Sequence, residues 1–263
     1  MSIQDIEKVQ AKNFLISDEN VVKIINKIDN LLHDIENLNY TSPGLEIIYD
    51  DLYKLINFTL ELKKPEYGEE YFNRRYNGRP PWEIDYIRPV IKKLLETKNL
   101  HGKILDIGCG TGRNTIFLAK NGLDITGIDI SEKAIAIAKK SVNNSNLNVK
   151  FLKKDILESS EFVQKYDIII DCGLYHVLTM NRKKIYVRNL QNLLQDGGIL
   201  YLICSSEQKG VFMPDAVTKN EINEMFQGDY TVDSIERTKI YSTIGRMRGW
   251  VATIIFKKLH NKI

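Results

Sequence analysis

The stretch "KILDIGCGTGRNTIFLAK", residues 103–120, constrains this chain more than any other part of it. Three glycines, Gly108, Gly110 and Gly112, fall within five positions between one apolar run and another. A short β-branched run, a turn of small residues and a second apolar run at helical spacing predict strand, tight loop and helix. Glycine in such a turn adopts conformations closed to other residues and lets the backbone approach a ligand. Several nucleotide-like ligands use loops of this kind, so the flanking residues must decide among them.

From residue 103 onward, β-branched runs alternate with helical patterns. Strands are expected at 103–107, 124–129, 148–153, 166–171, 198–204, 230–239 and 249–257, and helices near 113–121, 131–142, 182–194 and 218–227. That alternation predicts an α/β fold, a parallel sheet with helices on both faces. The last two strands follow each other with only a loop between them, so the sheet should end in an antiparallel hairpin. Upstream, "SDENVVKIINKIDNLLHDIENL" opens on Ser17 and Asp18 and repeats apolar residues at three- and four-residue steps. After "YTSPG", a second periodic run follows. Residues 1–64 are therefore expected to form a helical hairpin. Its apolar face needs cover, either from residues 65–263 of this chain or from a second chain, which would make a dimer through these helices. Residues 65–90 hold Tyr67, Tyr71, Phe72, Tyr76, Trp82 and Tyr86 among four arginines, with Pro80 and Pro81 denying a helix there. Irregular aromatic backbone just ahead of the glycine loop predicts a lid.

Composition narrows the class. With 43% hydrophobic and 27% charged residues the chain reads as a soluble globular protein. Its apolar runs fall well short of the roughly 20 residues that a membrane helix requires. The start "MSIQDIEKVQ" has no apolar core of a secretion signal. Cys109, Cys172 and Cys204 are odd in number and widely spaced, suggesting a reducing, cytoplasmic setting with neither a disulfide frame nor a metal site. Residues 1–65 hold 7 Lys+Arg against 11 Asp+Glu, and the remainder 30 against 23. The larger part is thus mildly basic, which suits an anionic small substrate or RNA.

The glycine loop excludes two ligands. A phosphate loop needs Lys-Ser/Thr after its last glycine, and here Arg113 and Asn114 follow Gly112. A dinucleotide fingerprint needs Gly-x-Gly-x-x-Gly, and Arg113 stands where its third glycine belongs. Asp106 precedes the first glycine by two residues, where a carboxylate would orient the loop, attract an ammonium group and repel a pyrophosphate. "LDIGCGTG" resembles motif I of the class I S-adenosylmethionine (AdoMet)-dependent methyltransferases. "LDITGIDIS", ending in Asp129, "NVKFLKKDIL", ending in Asp155, and "QDGGILYLI" resemble the family's later motifs in order, over roughly residues 66–257.

The resemblance implies a Rossmann-like, seven-stranded, mostly parallel sheet with AdoMet as cofactor. It implies that Asp106, Gly108, Cys109, Gly110 and Gly112 wrap the amino-acid end of AdoMet. Asp129 and Ile130 would meet the ribose, Asp155 and Ile156 the adenine, and Cys172 and Trp82 would complete the site. Asp129 and Asp155 could instead be ordinary helix caps, and Trp82 a core anchor.

Strand four opens into "DCGLYH", residues 171–176, without the prolines that shape the slot of adenine- and glutamine-methylating enzymes. No RNA-binding module can be picked out. Tyr76, Pro81, Trp82, Glu83, Asp171, Gly173 and His176 resemble the branch holding thiopurine, thiol and tellurite-resistance methyltransferases. That resemblance implies a small-molecule acceptor, with a soft sulfur-type nucleophile slightly favoured. An RNA or protein methyltransferase and a non-catalytic AdoMet-binding module are the alternatives. Asp171 and His176 are the expected catalytic groups, although His176 also reads as a structural histidine in the first turn of a helix. Arg246 and Arg248 either hold an anionic substrate or are solvated. Residues 205–221 are expected to loop over the substrate with Phe212, Met213 and Pro214 as an apolar wall, before a capping box at Thr218 and Glu221.

Overall fold

The computed structural model of the chain describes residues 67–143, 145–158, 164–206 and 216–258. The expected hairpin at 1–64 and the wall at Phe212–Pro214 lie outside the described residues. Among the described residues no helix is long and apolar enough to cross a membrane.

Seven strands form one sheet: β1 (Lys103–Ile107), β2 (Asp124–Asp129), β3 (Val149–Lys153), β4 (Tyr166–Cys172), β5 (Leu194–Ser205), β6 (Tyr230–Ser242) and β7 (Gly245–Phe256). Their order is β3-β2-β1-β4-β5-β7-β6. The first five pair in parallel, and β7 runs antiparallel between β5 and β6. Central strands are apolar on both faces because helices cover both, and alternate residues sort to opposite sides. Leu105, Ile169, Leu200 and Leu202 join one core with Tyr186, Leu190 and Trp250. Ile104, Ile168, Ile170, Tyr201 and Ile203 join the other with Ile91, Leu94 and Leu118.

The expected strands and helices are present, with four differences. First, residues 65–90 are not irregular throughout: α1 (Glu69–Arg75) precedes the prolines, and α2 (Pro89–Thr97) follows them. In α1, Glu69 and Glu70 lie in the first turn and Arg74 and Arg75 in the last, matching the helix dipole, and Pro89 supplies N1 of α2. Second, β5 begins at Leu194 rather than 198, because "QDGG" is accommodated as a register shift opposite Tyr166 and Ile168. Third, β6 and β7 extend beyond their expected ends to a two-residue turn at Thr243 and Ile244. Since β5 pairs with β7 only from Gly249 to Ile255, residues 239–248 form a two-stranded ribbon past the end of β5. Fourth, His176 sits in a single 3-10 turn, Tyr175–Val177, ahead of the next helix.

The remaining helices are α3 (Arg113–Lys120), α4 (Glu132–Ser141), α5 (Met180–Leu193) and α6 (Lys219–Met225). Ser131 caps α4 by accepting from Ala134 N–H at 3.2 Å. At α6 one half of the capping box forms, with Thr218 Oγ1 accepting from Glu221 N–H at 3.0 Å. The carboxylate of Glu221 goes instead to Lys183, at 2.8 Å.

Candidate functional site

A cleft of about 510 Å³ opens at the carboxyl ends of the parallel strands, where ligands of such sheets gather. Its floor is the glycine loop. Gly108, Gly110 and Gly112 all have positive φ, at 67°, 57° and 78°. Gly110 and Gly112 also need to be glycine for space. A Cβ at Gly110 would stand 2.8 Å from the Tyr76 hydroxyl, and one at Gly112 would stand 2.6 Å from the Phe151 ring. Phe151 of β3 and Tyr76 behind α1 thus approach the loop from two sides.

Each acid expected in the site has a defined setting. Asp106 is buried at the end of β1 and accepts from Thr115 Oγ1 of α3 at 2.5 Å. Burial raises its pKa to about 7, against the pull of Thr115 and Arg88. Asp129 ends β2, accepting from Gly110 N–H at 2.9 Å and from Ser131 N–H at 2.8 Å. Burial raises its pKa too, and those two N–H groups oppose the shift. Asp155 turns the chain after β3, accepting from Leu157 N–H at 2.9 Å. All three line the cleft, as do Cys109, Ile130, Ile156, Cys172 and Trp82. Both lining thiols are held protonated by burial, Cys172 up to about 12 and Cys109 well above its usual value, so neither offers a thiolate near neutral pH.

Asp171 is placed differently. It is fully buried, and its two oxygens accept four bonds: from the N–H groups of Gly173, Leu174 and Tyr175, and from Tyr186 Oη. Burial still raises its pKa to about 6. Its carboxylate is spent on shaping the turn after β4, while Gly173 and His176 of that turn line the cleft. His176 Nδ1 accepts a long bond, 3.4 Å, from Ser205 N–H of β5.

The aromatic segment forms the opposite wall. Tyr67, Tyr71, Phe72, Tyr76 and Trp82 all line the cleft. Trp82 meets Phe72 and Tyr76 edge to face at 6.0 and 6.2 Å and donates its Nε1–H to Tyr76 Oη at 2.9 Å. Arg88 holds the carbonyl of Trp82 at 2.7 Å. Asn73 bonds Ser131, anchoring α1 over the start of α4. At the far end, Thr243 N–H donates to Pro81 O at 2.8 Å, clipping the β6–β7 ribbon to this wall.

Three polar atoms in the cleft lining are buried and have no hydrogen-bond partner among the described residues: Glu83 Oε2, Arg88 Nε and Asn114 Oδ1. Groups in that state cost free energy unless a ligand completes them. Glu83 belongs to the Pro-Trp-Glu step visible in the sequence. Arg88 and Asn114 carry no local pattern that would have singled them out. A carboxylate, a guanidinium and an amide left open beside the glycine loop suit a ligand with an amino-acid end, which AdoMet has.

The sequence pattern of the methyltransferase-domain family matches residues 104–198. A 2-heptyl-1-hydroxyquinolin-4(1H)-one methyltransferase of Mycobacteroides abscessus is 29% identical over 188 residues, 66% of this chain and 82% of that protein. An uncharacterized methyltransferase of Schizosaccharomyces pombe is 33% identical over 114 residues, 43% of this chain and 79% of that protein. TehB of Haemophilus influenzae, named "Probable S-adenosyl-L-methionine-dependent methyltransferase", is 25% identical over 224 residues, 81% of this chain and 73% of that protein. A crystal structure of TehB from that organism superposes with a TM-score of 0.54 at 21% identity, over 72% of this chain and 67% of that one.

Proposed function

The chain belongs to the S-adenosylmethionine-dependent methyltransferases, and we propose that it transfers the cofactor's methyl group to a small-molecule acceptor through a sulfur-type nucleophile. AdoMet supplies an activated methyl group on a sulfonium, so the protein's task is alignment and exclusion of water. Asp129 and Ile130 would hold the ribose, and Asp155 and Ile156 the adenine. The three open polar groups would complete the amino-acid end: Glu83, with Asp106, faces the ammonium, and Arg88 and Asn114 lie beside it. Trp82 would close against the sulfonium, whose charge suits an aromatic face.

The observation that carries the choice of nucleophile is the state of the two expected bases. Asp171 is engaged by four donors, and His176 Nδ1 accepts from Ser205 N–H. We therefore read Asp171 as a positioning residue for the turn after β4, and His176 as part of the cleft wall rather than its base. A thiol ionises near neutral pH and needs no base of the protein. The thiolate lone pair forms the new bond to the methyl carbon. The carbon–sulfur bond of the sulfonium breaks with its pair returning to sulfur, leaving two neutral thioethers. An odd number of widely spaced cysteines supports a cytoplasmic setting.

The test is a methyl-transfer screen over thiols, phenols, amines and RNA. Transfer to small thiols ahead of phenols and amines is the expected outcome. Transfer to RNA, weakening steeply with salt, would replace this reading with the macromolecular one.

A further inference from the structure

Charge in the cleft is uneven along the sheet. Asp106 and Asp129 stand at the ends of β1 and β2, and Asp155 follows β3 with Lys154 beside it, so these three acids lie on one half. On the other half the lining is formed by the β6–β7 ribbon, which contributes Lys239 and Arg246. Lys239 and Tyr241 are two residues apart on β6, and Tyr241 pairs directly with Arg246 on β7. The three therefore share one face of the ribbon. Among the described residues neither Lys239 nor Arg246 has a carboxylate partner, whereas Lys93, Lys153 and Lys183 each have one. Three lining cations lie off the ribbon: Arg88, which pulls the pKa of Asp106 down, Lys154 beside Asp155, and Arg182, which donates to Tyr67 O.

The ribbon is also held in place. Thr243 N–H bonds Pro81 O, and the Tyr241 ring meets Tyr86 edge to face at 6.1 Å. Two exposed cations on a pinned ribbon, with the Tyr241 ring on the same face, suit an anion on a flat body.

Resting on the methyltransferase reading of this cleft, we propose that the acceptor carries a fixed anionic group on an aromatic body, and that Lys239 and Arg246 receive that group. The acids hold the cationic cofactor at one end, and the two cations draw the acceptor to the other. Tyr241, on the face of the two cations, stacks the ring. Such a division orients the acceptor end-on, with its anion held away from the sulfonium and its nucleophile directed toward it.

The test uses the full chain saturated with S-adenosylhomocysteine and three probes of one shape: 4-mercaptobenzoate, thiophenol and 4-(aminomethyl)benzenethiol. Calorimetry should show 4-mercaptobenzoate binding at least tenfold tighter than thiophenol, with the amine weakest. In the Lys239→Glu, Arg246→Glu double variant that preference should disappear, while affinity for S-adenosylhomocysteine stays within twofold. Equal affinity for the three probes, undetectable binding of 4-mercaptobenzoate, or an unchanged preference in the double variant would overturn the proposal. A wild-type chain that fails to bind S-adenosylhomocysteine would instead overturn the cofactor reading on which it rests.

Discussion

Asp129 ties together two backbone segments, the glycine loop through Gly110 and the start of α4 through Ser131. Each of its oxygens keeps a lone pair for a further donor, as two ribose hydroxyls would require. Asp129→Ala should weaken AdoMet binding tenfold or more by calorimetry, about 1.4 kcal/mol or above. Unchanged affinity in a folded variant would mean that the ribose lies elsewhere. Asp106 makes a prediction in pH. Its pKa is raised to about 7 in the cofactor-free protein, and a bound ammonium favours the ionised carboxylate. Binding should then release a proton, and AdoMet affinity should rise about tenfold between pH 6 and pH 8. The sign for folding is opposite. An acid with its pKa raised in the native state stabilises the fold fully below about pH 4, and that contribution is lost as pH rises through 7. A flat affinity profile in wild type, or an equally steep one in Asp106→Asn, would remove Asp106 from the cofactor site. Asp171→Ala leaves Tyr186 Oη and three N–H groups without their acceptor, all in a buried turn. It should cost about 3 kcal/mol in urea unfolding. A loss of activity with unchanged stability would restore Asp171 to a direct chemical role.

The glycine loop and the strands around it were legible in the sequence because each has a local signature. Ile104–Ile107 and Ile168–Ile170 are runs that only a doubly covered strand would bury, and Gly108, Gly110 and Gly112 mark the turn by composition alone. Helix α1 was not legible: its apolar positions are aromatic and none is buried, so no stripe faces a core. Residues 240–248 were read as a loop because Arg246 and Arg248 interrupt the β-branched pattern there, whereas β6 and β7 go on pairing with each other to Ser242 and Gly245. Arg88 and Asn114 become visible only when tertiary structure buries them. In the expected lid, Tyr67, Tyr71, Phe72, Tyr76 and Trp82 line the cleft. If it closes on AdoMet, hydrogen exchange over Tyr71–Trp82 should slow on cofactor binding, and by more than over Tyr186–Leu193 in the core. Equal exchange with and without AdoMet would make this wall a fixed part of the domain.

In the molecule as a whole, one sheet serves two tasks along its width. The parallel half, β3-β2-β1-β4, turns its carboxyl ends and the glycine loop toward the cleft, where we propose the cofactor binds. The antiparallel end adds β7 and β6, whose ribbon reaches back to the aromatic wall and narrows the remaining space. A cleft bounded in this way has about 510 Å³, and the proposed function requires it to take both AdoMet and a compact acceptor. The most direct measurement of that claim uses methyl-tritiated AdoMet, the full-length protein and an extract of the cells that make it, divided by ultrafiltration into metabolites and macromolecules. The label should appear in the metabolite fraction and depend on Asp129. Label entering only RNA or protein would contradict the account.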